Sequence, residues 1–176
     1  MKQTIFTAMI LLAGYAAQAQ VGINTQNPRG IFHVDGAKDN NASGAPTALQ
    51  QANDFIVTVD GKLGLGTTTP SSKLEVNGAS TNTAAYNAGA GTTIDYSLSN
   101  LAYTTANPGA FMLTNVKDGG TYTLSVRGTA SGTAAFSVSG FTVKYANNKA
   151  TIASKETVYT FVVMGTVIYA YTAVGF

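Results

Sequence analysis

His33 is the only histidine in the chain, and it is where general acid–base chemistry would first be sought, because imidazole titrates near neutrality. A general base needs positioned partners, and the residues around His33 supply no recognisable nucleophile or orienting acid. With no cysteine and no second histidine, a zinc site lacks its ordinary ligand set. The eight carboxylates offer a second chemistry, since paired acids hydrolyse glycosides. Asp35, Asp54, Asp60 and Asp118 stand in or beside turns, where Asp hydrogen-bonds its own backbone. Glu75 is expected on the outward side of a strand and Glu156 in a loop. Oxygen ligands for calcium could come from Asp35-Gly36-Ala37-Lys38-Asp39-Asn40-Asn41, but the spacing misses the EF-hand pattern and Lys38 sits in its middle. No nucleophile elbow, Walker loop or dinucleotide fingerprint is present. The residues therefore assign no catalytic, cofactor-binding or metal-ligating position, and the expectation is a non-enzymatic protein. What remains is nine tyrosines among neutral, amide-rich loops, a chemistry suited to sugars. Tyr86, Tyr103 and Tyr145, near linkers and turns, are expected to be the most exposed.

The elements that carry these residues are written twice. Val21-Gly22-Ile23-Asn24-Thr25-Gln26-Asn27-Pro28-Arg29-Gly30-Ile31-Phe32-His33-Val34-Asp35-Gly36 returns as Leu63-Gly64-Leu65-Gly66-Thr67-Thr68-Thr69-Pro70-Ser71-Ser72-Lys73-Leu74-Glu75-Val76-Asn77-Gly78. A catalytic site rarely needs copying, whereas a building unit often does. Asn24 and Gly66 occupy the same position and share one property, tolerance of a left-handed backbone, so φ there is expected above zero. Pro28 and Pro70 fix a turn after Thr25 and Thr67. Phe32 and Val34, or Leu74 and Val76, alternate with His33 or Glu75, which predicts a strand with the apolar residues inward and His33 solvated. Gly36 and Gly78 mark the exit. The structural repeat turns are thus Gly22, Asn24, Pro28 and Gly36 in one copy and Gly64, Gly66, Pro70 and Gly78 in the other. Between the copies, Phe55, Val57 and Val59 alternate with smaller neighbours and meet Asp60-Gly61, a hairpin signal. Ala45 to Asn53 is expected to form at most one or two helical turns.

This pattern resembles the Gly-Ile-Gly-Thr-x-x-Pro repeat of phage tail fibres and of secreted, fibre-like surface proteins of Gram-negative bacteria. Leu63 to Gly78 fits closely; Val21 to Gly36 departs at Asn24 and at Arg29-Gly30. The resemblance implies short strands and turns in a homotrimeric shaft, and no chemistry.

Met1 to Ala19 reads as a secretory signal peptide, with Lys2, an apolar run from Ile5 to Ala13 and the small-x-small site Ala17-Gln18-Ala19. The apolar run is about half the roughly 20 residues needed to span a bilayer, so no membrane span is expected once the signal is removed. Charged residues make up only 10% of the chain, against roughly 25% in ordinary soluble proteins. The formal charge of +2 has no basic run or acidic tail behind it, which argues against nucleic acid and anionic lipid as partners. The 59 residues from Gln20 to Gly78 contain few large apolar groups and no cysteine to cross-link them. A unit of that size buries too little surface to be robust alone, and two repeats fall short of the roughly three that a stacked solenoid needs. Association between identical chains is the expected remedy.

Ala79 to Gly91, made of small and polar residues around Tyr86, is expected to be a linker. From Thr92 the texture changes to strand-like segments at 92–96, 111–116, 122–127, 134–138, 141–145, 150–153, 157–163 and 166–172, separated by turn signals, which predicts an antiparallel sandwich or jelly roll. Tyr122, Leu124 and Val126, Phe141, Val143 and Tyr145, and Tyr159, Phe161 and Val163 are the core candidates. The last hairpin is apolar on both faces, placing it centrally or against another subunit. Gly91-Thr92-Thr93-Ile94-Asp95, Asn115 to Leu124 and Tyr159 to Gly165 are similar to a C-terminal β-domain of phage fibre proteins, a resemblance that covers about half the chain and implies no catalytic residue. No segment matches the self-cleaving chaperone that ends many members of the repeat family.

The expectation is therefore an all-β chain in four parts: signal peptide (1–19), a two-repeat stalk of short hairpins intertwined as a trimer (20–78), linker (79–91) and an antiparallel β-sandwich or jelly-roll-like domain (92–176). Its expected role is a secreted structural or adhesive fibre subunit that pairs with itself as a homotrimer at a cell surface. The alternatives are a trivalent carbohydrate-binding module, whose partner would be a cell-surface glycan or another fibre protein, and a small outer-membrane barrel suggested by Tyr169, Tyr171 and the aromatic Phe176.

Overall fold

Thr25 and Thr67 turn the chain so tightly that their carbonyls sit on the strand they have just left. A Cβ built at Gly22 would lie 2.8 Å from the Thr25 carbonyl oxygen, and one at Gly64 only 2.3 Å from that of Thr67. Only glycine fits under such a turn. This geometry is seen in a computed structural model, which describes residues 20–176; the expected signal peptide lies outside them. The chain is all-β and divides into two units, Met1–Ser80 and Thr81–Phe176.

The first unit is one sheet of five three-residue strands in the order of the chain: β1 (Val21–Ile23), β2 (Phe32–Val34), β3 (Phe55–Val57), β4 (Leu63–Leu65) and β5 (Leu74–Val76). Within each copy the two strands do not form a hairpin. β1 and β2 are parallel, as are β4 and β5, joined by residues 24–31 and 66–73. Eight residues are fewer than the dozen or so that a parallel crossover usually takes, and the turn seated on the glycine makes the short return possible. The expected hairpin is formed by β3 and β4, antiparallel around Asp60-Gly61 with Gly61 at φ +67°, and β3 also pairs antiparallel with β2, to which residues 35–54 join it. The expected helical turns reduce to a 3-10 turn at Gln50–Asn53.

The two copies share the backbone bonds that flank their crossovers, at an offset of 42 residues (Val21 to Leu63). The Val21 N–H donates to the Ile31 carbonyl at 3.0 Å and the Leu63 N–H to the Lys73 carbonyl at 2.8 Å. The Asp35 N–H donates to Ile23 at 2.9 Å, and that of Asn77 to Leu65 at 2.8 Å. Asn24 and Gly66 both have positive φ, +60° and +73°. Across that turn Asn24 Nδ2 donates to the Asp35 carbonyl, whereas in the second copy Asn77 Nδ2 donates back to the Gly66 carbonyl.

In the second unit, successive strands alternate between two sheets. β6 (Tyr86–Asn87), β8 (Leu101–Thr104) and β10 (Thr121–Val126) are neighbours in one sheet; β7 (Thr93–Asp95), β9 (Ala110–Thr114) and β11 (Ala135–Ser137) are neighbours in the other. All of these pairs are parallel. The chain thus winds as a short coil, and the fully antiparallel expectation does not hold. The rest of the larger sheet is β13 (Thr157–Met164) and β14 (Val167–Val174), an antiparallel hairpin paired to β10, with β12 (Thr142–Tyr145) parallel to β14 at the edge. Tyr86–Asn87 is therefore a strand inside the segment expected as linker. Of 150–153 only Thr151 pairs, in an isolated bridge to Gly132. Among the described residues the sheets are open, with free edges, and form no single closed barrel.

The two sheets of this unit enclose one core. Ile94, Phe111, Leu113 and Phe136 from the smaller sheet meet Leu124, Tyr159, Phe161, Val163 and Ile168 from the larger, and the Phe136 ring lies 4.8 Å from those of both Tyr159 and Phe161. The expected core rows of β10 and β13 are buried; Phe141, Val143 and Tyr145 pack at its edge.

Gly64→Ala is expected to destabilise the first unit by about 1–3 kcal/mol, because the Thr67 carbonyl and Ile56 side chain must both move. Gly109→Ala, whose new methyl would meet only the Asn107 carbonyl oxygen at an ordinary 3.9 Å, should be near neutral when both variants are compared by thermal unfolding.

Candidate functional site

The register of the five-stranded sheet sorts its residues sharply. One row across the strands is Val21, Phe32, Val57, Leu63 and Leu74; the other is Ile23, Val34, Phe55, Leu65 and Val76. Both rows point to the same face, so ten consecutive neighbours are Val, Ile, Leu or Phe. Between them, on the opposite face, stand Gly22, His33, Ile56, Gly64 and Glu75. The crossover turns fold back on that second face and close it.

The face assignment expected from alternation is thereby reversed. His33 is fully buried, while Leu74, expected inward, is 58% exposed and Val21 51% exposed. Ile23 and Leu65 are also exposed, and the remaining six side chains of the apolar face are half-buried, Phe32 and Phe55 by edge-to-face contact at 5.8 Å. Among the described residues of this unit Ile56 is the one fully buried aliphatic side chain.

On the closed face the two copies solve one problem with different side chains. The residue after each proline has a backbone N–H with no strand partner. In the first copy the Arg29 N–H donates to His33 Nδ1 at 3.3 Å; in the second the Ser71 N–H donates to Glu75 Oε2 at 2.6 Å. Because Nδ1 accepts, the His33 proton resides on Nε2, which donates to Asp54 Oδ2 at 3.0 Å. Asn40 Nδ2 donates to the same oxygen at 2.9 Å. Asp35, expected at an exposed turn, is fully buried and accepts the N–H groups of Asp39 and Asn40. That carboxylate organises backbone donors; among the described residues no group of three His, Asp or Glu side chains could hold a metal. A His–Asp pair can orient a base in hydrolases, but here both side chains are buried and the free imidazole nitrogen is already occupied by a backbone donor. The cluster is a polar lock beneath the sheet.

Of the expected turn residues, Gly22 and Gly64 are instead the middle residues of β1 and β4, where the turn rests on them, and Asn24 and Gly66 follow those strands with positive φ. Pro28 and Pro70 lie in the crossovers, Gly36 stands against the Asn53 carbonyl, and Gly78 has φ +153°. The Ser71 hydroxyl and then its backbone N–H hold the Glu75 carboxyl below its usual range. In the second unit, Asn115 and Ser97 do the same for Asp95. Burial pushes the Tyr96 phenol well above its ordinary value. Tyr86, Tyr103 and Tyr145 are half-buried, and among the described residues the exposed tyrosines are Tyr169 and Tyr171 on the outward face of β14.

No family model, curated protein or solved structure matches this chain.

His33→Ala should cost about 3 kcal/mol in denaturant unfolding, since it leaves the buried Asp54 carboxylate and the Arg29 N–H each short of a partner. Glu75 has a depressed folded pKa, so its contribution to stability is complete above the unfolded value of 4.5 and is lost as pH falls through the folded one. Glu75→Gln should flatten that part of the stability–pH profile, measured by urea titration at successive pH values.

Proposed function

We propose that this protein is a secreted structural or adhesive fibre subunit that acts as a homotrimer at a cell surface, with the first unit as the trimerising stalk. The observation that carries the proposal is the uncovered apolar face of the five-stranded sheet. Five strands at about 4.8 Å and three residues at about 3.3 Å make a face of about 24 by 10 Å whose side chains are all apolar. No charged side chain interrupts it.

Three copies suit its dimensions. Faces about 24 Å wide closing as a triangle stand about 7 Å from a common axis, near the half-spacing of about 5 Å between packed sheets, so Phe, Leu, Ile and Val can fill the interior. The resemblance of both copies to repeats of homotrimeric shafts points the same way, and the signal-like segment 1–19 supports export. The congruent bonding of the two copies fits a building unit, and the burial of His33 and Asp54 fits a structural lock better than a reactive group.

Sedimentation equilibrium of the protein without residues 1–19 is expected to give three times the chain mass over a wide dilution range. Leu65→Glu, which sets a charge in the apolar face, should dissociate the trimer, while Leu98→Glu, at an exposed leucine of the second unit, should leave the mass unchanged. Amide hydrogen exchange of β1 to β5 reports whether Leu65→Glu has merely unfolded the first unit. A monomeric parent protein overturns the proposal.

A further inference from the structure

The outward face of the six-stranded sheet has a different chemistry from the apolar face of the first unit. Along β14, Tyr169 and Tyr171 project to the same side, about 6.8 Å apart, and are 36% and 50% exposed. Tyr171 stands opposite Thr160, which stands opposite Thr123, so a tyrosine ring and two threonines form one row across three strands. Tyr169 heads the next row, opposite Val162 and then Thr121. The side-chain bonds on this face gather at its rim. There Arg127 Nε donates to Glu156 at 3.2 Å and to Ser125 at 3.1 Å, and its guanidinium lies 4.4 Å from the centre of the Tyr103 ring. The hydroxyls of Thr123, Thr160, Tyr169 and Tyr171 are left to solvent, and Lys144 is the one charge beside the tyrosine pair.

We propose that this face binds a neutral oligosaccharide laid across Tyr169 and Tyr171. A pyranose presents C–H faces that stack on aromatic rings and a rim of hydroxyls that both donate and accept, which is what the tyrosine–threonine rows require. Other occupants fit worse. A second copy of the chain or a lipid tail would desolvate four hydroxyls without pairing them, at about 1–3 kcal/mol each. A basic ligand would find no opposing charge in the tyrosine–threonine rows and an acidic one a single cation, Lys144, because Arg127 and Glu156 at the rim already satisfy one another. The proposal deepens the fibre-subunit reading, on which it relies only for avidity: three copies turn a weak single site into firm attachment.

The test uses the protein without residues 1–19 and four probes: cellohexaose, maltohexaose and mannohexaose as neutral chains, and oligogalacturonate as an acidic one. Retention of at least one neutral chain is expected, and titration calorimetry should then show about tenfold weaker binding for Tyr169→Ala and for Tyr171→Ala, with Tyr171→Phe close to the parent. Thermal midpoint and chain mass should be unmoved in all three variants. Retention of no neutral chain, retention of the acidic one alone, or Ala variants that bind like the parent would overturn the proposal. So would Ala variants that change the oligomeric state, since the face would then lie between copies. Because calorimetry reads each site singly, a monomeric parent that still binds through Tyr171 removes the fibre reading and leaves this one standing, and a trimer that binds nothing does the reverse.

Discussion

The first unit depends on one close approach, the Thr25 and Thr67 carbonyls resting on Gly22 and Gly64. A turn that returns so tightly makes the next strand a parallel neighbour and sets the register at Val21 opposite Phe32 and Leu63 opposite Leu74. With that register the aliphatic residues of both strands point away from the turn, and the turn itself covers the other side. One local contact, written twice, thereby decides which face of the sheet is closed and which is left open. The closed face has room for little besides Ile56 and a hydrogen-bonded polar cluster, so the apolar side chains that would ordinarily make a core are all on the open one.

Much of this was legible in local pattern. The left-handed positions at Asn24 and Gly66, the Asp60-Gly61 hairpin and the inward rows of β10 and β13 follow from residue type within a few positions. The side of the sheet that would be covered did not follow, because period-two alternation separates two faces without saying which of them meets other atoms. His33 shows the difficulty: its partner Asp54 is 21 residues away, and its equivalent in the other copy is Glu75, a residue that reads as solvated. What unites imidazole and carboxylate is acceptance of one backbone N–H, a requirement visible only once the turn exists.

The parallel coil of the second unit was hidden for a related reason. Its neighbours in a sheet are not neighbours in the chain: Tyr86 pairs with Ala102, Ala102 with Leu124, and Phe111 with Phe136. Each strand reads locally like part of a meander, and the direction of pairing is set by where the intervening strand goes, which is to the other sheet. β6 has only two residues and β8 four, too few to stand out from a segment rich in Ala, Asn and Thr.

The two units divide the physical burden of the chain unequally. The second closes its own aromatic core, with Phe111, Phe136, Tyr159 and Phe161 stacked between sheets, and so needs no further burial to hold its shape. The first has two repeats, one buried aliphatic side chain among its described residues and no disulfide, and its hydrophobic driving force becomes available only when the open face is covered. Surfaces that differ in this way answer to different constraints. A face made only of Val, Ile, Leu and Phe can gain from another apolar face without leaving a polar group unpaired, and ten such residues are hard to maintain in water without a partner. A face that mixes tyrosine rings with free hydroxyls gains little from purely apolar contact, because each hydroxyl must keep a hydrogen bond. The sheet that lacks a core is therefore the one whose open face would gain from being covered, and the sheet that already has one would gain more from a polar neighbour.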